Sequence, residues 1–170
     1  MVESLLSTRL FDVERRTYRG PDGRSLVRDI IVHPGAAVVI PILDDGRIVM
    51  IHNVRHAAGE ELLELPAGTL EADEAPIKTA ARELEEETGY VAGRVEPLLS
   101  FFSTPGVCTE LMHAFIATEL SVGEPRMEGG EQVRVEIRGR DSLRRALCDG
   151  SIRDGKTLAA LGVYFLRNEA

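Results

Sequence analysis

A chain of 170 residues has room for one domain with a sizeable core and is cramped for two. With a net charge of -8, from 20 lysines and arginines against 28 acids, it lacks the basic balance of a general nucleic-acid surface, and no apolar run approaches the roughly 18 residues that a membrane span needs. Cys108 and Cys148 stand far apart without metal-ligand spacing and read as reduced thiols; the opening MVESLLSTRL carries Glu3 where a secretory leader wants positive charge, and no long apolar segment follows, so the expected location is the cytosol.

Taken in order, residues 5–13 alternate imperfectly and read as an edge strand. Gly20-Pro21-Asp22-Gly23 is a turn signal that leads into a second arm over residues 25–32, which together predict a hairpin. His33-Pro34-Gly35 breaks the chain, and residues 36–43 form a nearly continuous apolar run of the kind buried on both faces of a sheet. Asp44-Asp45-Gly46 turns this run into a strand over residues 47–53, which ends near Arg55. Beyond it, Ile77, Ala80, Ala81 and Leu84 recur at helical spacing across residues 76–88, with Pro76 in the first turn and Gly89 at the C-terminal cap.

A long strand interrupted near Pro97 follows over residues 91–103 and stops at Thr104-Pro105-Gly106; residues 110–119 alternate as a central strand, with His113 read as a packed histidine. Residues 123–132, GEPRMEGGEQ, form a glycine- and charge-rich loop. Then come a short strand at 133–137, a helix over 142–148 with Asp141 as its cap and Gly150 as its stop, and a last helix beginning at Asp154-Gly155-Lys156-Thr157 with an apolar stripe of Leu158, Leu161, Phe165 and Leu166. The short basic stretches at 138–140 and 144–145 suit a solvated face better than a phosphate track.

The chemistry concentrates on the first helix, which carries Glu83, Glu85, Glu86 and Glu87. Like charges three or four apart cost a helix roughly 0.2–0.5 kcal/mol per pair, so this cluster works against its own helix unless a cation meets it. Glu83 and Glu87 stand one turn apart beside the apolar stripe, with Glu86 next round and Arg82 beyond. Hard divalent ions such as Mg²⁺ take oxygen ligands of this type and leave positions for water and phosphate, an arrangement suited to attack on phosphorus. A carboxylate on the loop, Glu131 first and Glu128 second, is a candidate to deprotonate the attacking water.

Gly68, five residues, Glu74, seven residues, Arg82-Glu83-Leu84, then Glu86-Glu87 and Gly89 before an apolar residue match the Nudix box in full, so the chain resembles the Nudix hydrolases, which cleave nucleoside diphosphates linked to another moiety. The resemblance spans residues 26–168. It implies an α/β/α sandwich with a mixed central sheet and an N-terminal antiparallel strand segment, residues 1–32 forming a hairpin exchanged in a homodimer and residues 33–170 the Nudix domain. Phe11 or Tyr18 would then stack on a base. HPGA at 33–36, Arg55 ten residues before Leu65-Pro66-Ala67-Gly68, and Pro105 sixteen residues beyond Gly89 resemble the ADP-ribose pyrophosphatase branch; IRDGKT at 152–157 is shared with the GDP-mannose branch.

By that resemblance Glu83, Glu86, Glu87, the Ala67 carbonyl and Glu131 hold Mg²⁺, or Mn²⁺ in its place. Glu86, Glu131, Glu128 and Arg82 serve catalysis, and Arg55, Glu64, Pro105 and Gly106 meet substrate. Two positions depart from the branch: His56 stands where Arg55 is commonly followed by proline, and Gly129-Gly130 separate loop acids that lie two apart in relatives, so the base is open between Glu131 and Glu128. The implied reaction is hydrolysis of ADP-ribose to AMP and ribose 5-phosphate. The alternatives are hydrolysis of GDP-mannose or another nucleoside diphosphate sugar, and a non-catalytic nucleotide sensor, which the retained box glutamates disfavour. A small-molecule substrate, without nucleic acid or membrane, is the expected partner.

Overall fold

The computed structural model describes residues 1–123 and 133–168. Its best buried strand is the one the apolar run predicts. β4 (Ala36–Pro41) is buried at every residue, because side chains alternating to both faces all meet apolar neighbours. It pairs parallel with β9 (Leu111–Val122) and antiparallel with β7 (Ala67–Thr69), and β8 (Tyr90–Phe102) completes a mixed sheet of order β7-β4-β9-β8. A second sheet, β10-β5-β6, joins β5 (Ile48–Arg55) with β6 (Glu60–Glu64) and β10 (Val133–Arg138).

Helix α1 (Pro76–Thr88) covers one face of the mixed sheet, where its Ala80 and Leu84 pack on Ala37, Val39, Phe115 and Ala117. The other face, Val38, Ile40, Met112 and Ala114, packs with Ile48, Met50 and Leu63 of the second sheet and with α2 (Arg140–Cys148) and α3 (Gly155–Arg167) through Leu143, Leu161 and Phe165. Each fully buried side chain of this size stabilises the fold by about 1.5–3 kcal/mol. Helices thus flank a mixed sheet on both sides, the α/β/α sandwich. Among the described residues no helix is long and apolar enough to cross a membrane, and Cys108 and Cys148 are free thiols.

The N-terminal segment forms its own antiparallel sheet of β1 (Val2–Ser7), β2 (Asp12–Arg19) and β3 (Ser25–Val32). The single edge strand expected over 5–13 is broken at Thr8, whose hydroxyl donates to the Phe11 carbonyl at 2.6 Å and accepts from the Phe11 N–H at 2.9 Å. This hydroxyl closes a turn where alternation alone reads as extended chain. The sheet docks on the main body through Ile31, which donates to Val107 O at 2.8 Å and accepts from Thr109 N at 2.9 Å.

Other departures have local causes. Residues 54–69 contain β6 and β7, where the sequence reading assigns no element; the β5–β6 turn places Gly59 at φ 72°. Asp141 is not the cap of α2: the helix begins at Arg140 with Gly139 capping, and the Arg140 guanidinium lies 5.3 Å from the Tyr164 ring centre. In α1, Ile77 is 40% exposed while Thr79 is buried, because the Thr79 hydroxyl donates to Glu74 at 2.8 Å. In α3, Leu158 and Leu166 are exposed, and Thr157, Ala160 and Tyr164 take their places inside. The phase of α3 is fixed by Asp154, which caps the Thr157 N–H at 2.9 Å, and by the Thr157 hydroxyl, which accepts from Leu65 N at 2.9 Å.

Gly89 closes α1 in the left-handed region at φ 74°, its N–H donating to Glu85 O at 2.8 Å. A side chain in that conformation costs roughly 1–2 kcal/mol. Gly89→Ala is therefore expected to lower Tm by about 2–8 °C in a thermal scan, and an unchanged Tm would show that the helix end does not depend on this backbone conformation.

Candidate active site

The carboxylates of α1 face a cavity of about 1630 Å³. Its wall on one side is made by Arg82, Glu83, Glu86 and Glu87 of α1 with Ala67, Gly68 and Thr69 of β7. Arg55, at the end of β5, and Asp154, Gly155 and Lys156, at the start of α3, line the same cavity. Arg9 and Leu10, in the turn between β1 and β2, also line it.

Arg82 organises the acidic wall. Its Nη1 lies 2.8 Å from Glu83 Oε1 and 2.9 Å from Glu86 Oε2, while Nε and Nη2 donate to Glu74 at 3.2 and 3.1 Å. One guanidinium thus serves three carboxylates, drawing the loop after β7 onto the helix. The Arg82 pKa is raised, first by the Glu74 hydrogen bond, and the same bond holds the Glu74 carboxyl below its ordinary range. Counting Glu74, Glu83, Glu86 and Glu87 as -4 and Arg82 as +1 leaves a local charge of -3 on this wall.

Glu83 rests on Gly68, where an added Cβ would come within 1.9 Å of Glu83 Oε1. The glycine is required here by close approach. Glu87 is 5% exposed, and its Oε2 accepts the Ala67 N–H at 3.0 Å, so this carboxylate and the Ala67 peptide are joined. The donor set is all hard oxygen, the type a divalent cation of the Mg²⁺ class takes. Among the described residues no three His, Cys, Asp or Glu side chains converge as a metal-holding group, and the Arg82 guanidinium bonds both Glu83 and Glu86. The residue types, the surplus negative charge and the glycine cradle fit a cation; the side chains as they stand are spaced by an arginine.

Among the other predicted site residues, Arg55 and Ala67 line the same cavity. Glu64 does not; it is fully buried behind Arg55, whose Nε and Nη2 donate to its two oxygens at 2.8 and 2.7 Å. That hydrogen bond is the first cause of a raised Arg55 pKa. The cavity wall includes Ser103 and Thr104 and not Pro105 or Gly106. Glu128 and Glu131 lie outside the described residues. His33 reaches the cavity, with Nδ1 accepting from Gly35 N at 3.1 Å, a loop-closing bond.

Sequence reasoning passed over Lys156 and Asp154 as site residues. The IRDGKT stretch marks them, but only the fold brings the start of α3 beside Arg55. A family model described as the NUDIX domain matches residues 32–160. The chain belongs to the NUDIX domain family. It is a Nudix hydrolase, 39% identical over 135 residues to the ADP-ribose pyrophosphatase of Bacillus subtilis (strain 168), covering 79% of this chain and 73% of that protein. It is also 40% identical over 122 residues to the methanol dehydrogenase activator of Bacillus methanolicus, 72% of this chain and 66% of that one. A crystal structure of an ADP compounds hydrolase superposes with a TM-score of 0.86 at 22% identity, covering 100% of this chain and 94% of that one, which is a likeness of fold.

Two expectations follow for this Nudix hydrolase. Gly68→Ala pushes Glu83 off its seat and should lower hydrolytic kcat/KM by roughly 10²-fold with the circular dichroism spectrum unchanged, since misplacement on this scale carries that cost; wild-type turnover would show that Glu83 retreats freely. Because the Glu74 pKa is lowered in the folded state, its stabilisation is complete above its ordinary value of about 4.3 and is lost as pH falls through the lowered value. The Tm gap between wild type and Glu74→Gln should therefore be widest above about pH 5 and narrow toward pH 3. A gap that ignores pH would rule this out.

Proposed function

We propose that this Nudix hydrolase is a Mg²⁺-dependent ADP-ribose pyrophosphatase that releases AMP and ribose 5-phosphate. The observation that carries the reading is the meeting of the box glutamates and Arg55 on one cavity. A bound Mg²⁺ or Mn²⁺ supplies charge neutralisation at the phosphorus centre. Glu83, Glu86 and Glu87, with the Ala67 carbonyl and Glu131, would hold it. Arg82 spaces Glu83 and Glu86 through the ion pairs described, and Arg55 donates to a phosphate oxygen from the part of its guanidinium that Glu64 leaves open.

In the reaction a water oxygen bonds to one phosphorus, the bridging P–O bond breaks, and the departing phosphate keeps that oxygen. Glu131, ahead of Glu128, takes the proton from water, and Glu86 assists at the metal. The name carried by the Bacillus subtilis relative supports ADP-ribose as the substrate. We further propose a homodimer in which the N-terminal sheet meets a second copy. The exposure of Val2, Leu6 and Leu10 on and beside β1 supports this.

The substrate test compares ADP-ribose, GDP-mannose, NADH and FAD with Mg²⁺ and with Mn²⁺. ADP-ribose is expected to exceed the others by at least about tenfold in kcat/KM, and chelation to abolish turnover, with Glu83→Gln or Glu87→Gln lowering kcat by roughly 10²–10³-fold. Uniformly feeble turnover of all four sinks the ADP-ribose assignment. A preference for GDP-mannose selects the nucleotide-sugar alternative.

A further inference from the structure

Asn53 is only 6% exposed, and among the described residues its side-chain amide has no hydrogen-bond partner. The other buried polar side chains, Glu64, Thr79, Glu87, Thr88 and Thr157, all have one. A buried amide without a partner destabilises a fold, and each such group in a folded protein calls for an explanation. The ladder offers it nothing, since Asn53 stands opposite Leu62 of β6 and Val133 of β10, both apolar. Yet the amide is not sealed. Among the described residues every fully covered side-chain nitrogen or oxygen is hydrogen-bonded, so the unpartnered Oδ1 and Nδ2 of Asn53 lie on the little surface that it keeps.

Alternation along β5 aims that surface. Ile48 and Met50 turn into the core with α2 and α3, whereas Ile51, Asn53 and Arg55 turn to the opposite face, where Arg55 lines the cavity. Glu64 lies on this face too, opposite Ile51 and bonded to Arg55. The raised Arg55 pKa, set first by Glu64, also has a contribution from Glu87, so this box carboxylate is within electrostatic reach. Asn53 is not itself in the cavity wall and lies one alternate position behind Arg55. A recess that leaves 6% of a residue open admits a water and excludes a nucleotide.

We propose that Asn53 orients the attacking water, its Oδ1 accepting one O–H so that a lone pair of the water turns toward phosphorus. The proposal rests on the diphosphate-hydrolase reading above. Two positions along a strand span roughly 6.6 Å, so a water bonded to Asn53 comes next to a phosphate bonded to Arg55. The water oxygen bonds to phosphorus, the bridging P–O bond breaks with its electron pair left on the departing phosphate, and the other O–H proton passes to the carboxylate base. Asn53 neither gains nor loses a proton. An amide suits the position for that reason: its carbonyl oxygen only accepts, whereas a carboxylate there would compete for the proton and add to the acidic wall.

The test measures kcat and KM on whichever of ADP-ribose, GDP-mannose, NADH and FAD wild type cleaves fastest, with Mg²⁺ affinity by calorimetry and Tm without substrate. Failure of the ADP-ribose assignment therefore leaves the comparison intact. Asn53→Leu, close in size and without polar atoms, is expected to lower kcat by roughly 10²-fold, the cost of a misplaced reacting group, with KM and Mg²⁺ affinity within about threefold. Its Tm rises by about 2–4 °C, because the unpartnered amide is gone. Asn53→Gln keeps an amide on this face and stays within about tenfold of wild-type kcat.

A gain in stability joined to a loss of turnover is what a purely structural asparagine would not give. If Asn53→Leu overpacks and loses Tm, Asn53→Ala, which cannot overpack, must show the same fall in kcat. Wild-type kcat in Asn53→Ala or in a folded Asn53→Leu overturns the proposal, whatever the Tm. So does a raised KM at unchanged kcat, which would make Asn53 a substrate contact, and so does an Asn53→Gln as slow as Asn53→Leu.

Discussion

The structure depends on one cation shared among three carboxylates. Arg82 ties Glu74, Glu83 and Glu86 together, and without it the helix that carries the box would set like charges against each other on adjacent turns. These groups are largely screened from solvent, with side-chain exposures of 27% for Arg82 and 15–25% for its partners, so the pairs escape much of the weakening that makes surface ion pairs nearly worthless. The pairing also has a geometric result. Glu74 lies before the helix, and holding it on Arg82 brings the loop from β7 back over α1 beside the Gly68 seat of Glu83.

What keeps this wall in place is ordinary packing on a rigid strand. β4 is buried at every residue; α1 rests on one face of it through Ala80 and Leu84, and α3 reaches the other through Leu161 and Phe165. α1 and α3 therefore lie on opposite faces of one strand, and both contribute residues to the cavity. β7, at the edge beside β4, supplies the peptides of Ala67 and Gly68 that meet Glu87 and Glu83. A site on regular elements holds its groups more closely than one on loops.

Whatever depended on neighbours in sequence was readable, and whatever depended on distant partners was not. The limits of α1, its Gly89 cap and the continuous burial of β4 follow from periodicity and turn chemistry, and the structure has them at the expected residues. The box register brought Arg82, Glu83, Glu86 and Glu87 to one wall because all four lie within two turns of a single helix. Ile77, Leu158 and Leu166 belong to the stripes that helical spacing predicts, yet they are exposed, and Thr79 and Thr157 take inside positions through hydroxyl bonds to Glu74 and Leu65. No local pattern announces such bonds. The resemblance has Glu64 meet substrate, yet it is buried behind Arg55 and bonded to Lys156, which is 92 residues away in the chain. Pro105 and Gly106 carried a turn signal, and the cavity is met instead by the residue just before them.

The two buried glutamates show how the same side chain is put to opposite uses. Glu87 accepts the Ala67 N–H and lies beside the cavity. Glu64 is enclosed by two cations, and removing either would leave a buried charge short of a partner, a loss of about 3–5 kcal/mol. A carboxylate in the second setting orders cations; in the first it attracts them. The cavity thus presents excess negative charge on α1 and aimed positive donors from β5 and α3, in a chain whose net charge of -8 would otherwise repel an anion. A ligand that satisfies both walls must carry positive charge toward the helix and negative charge away from it. A divalent ion bound to a diphosphate has that order of charges, and neither component alone does.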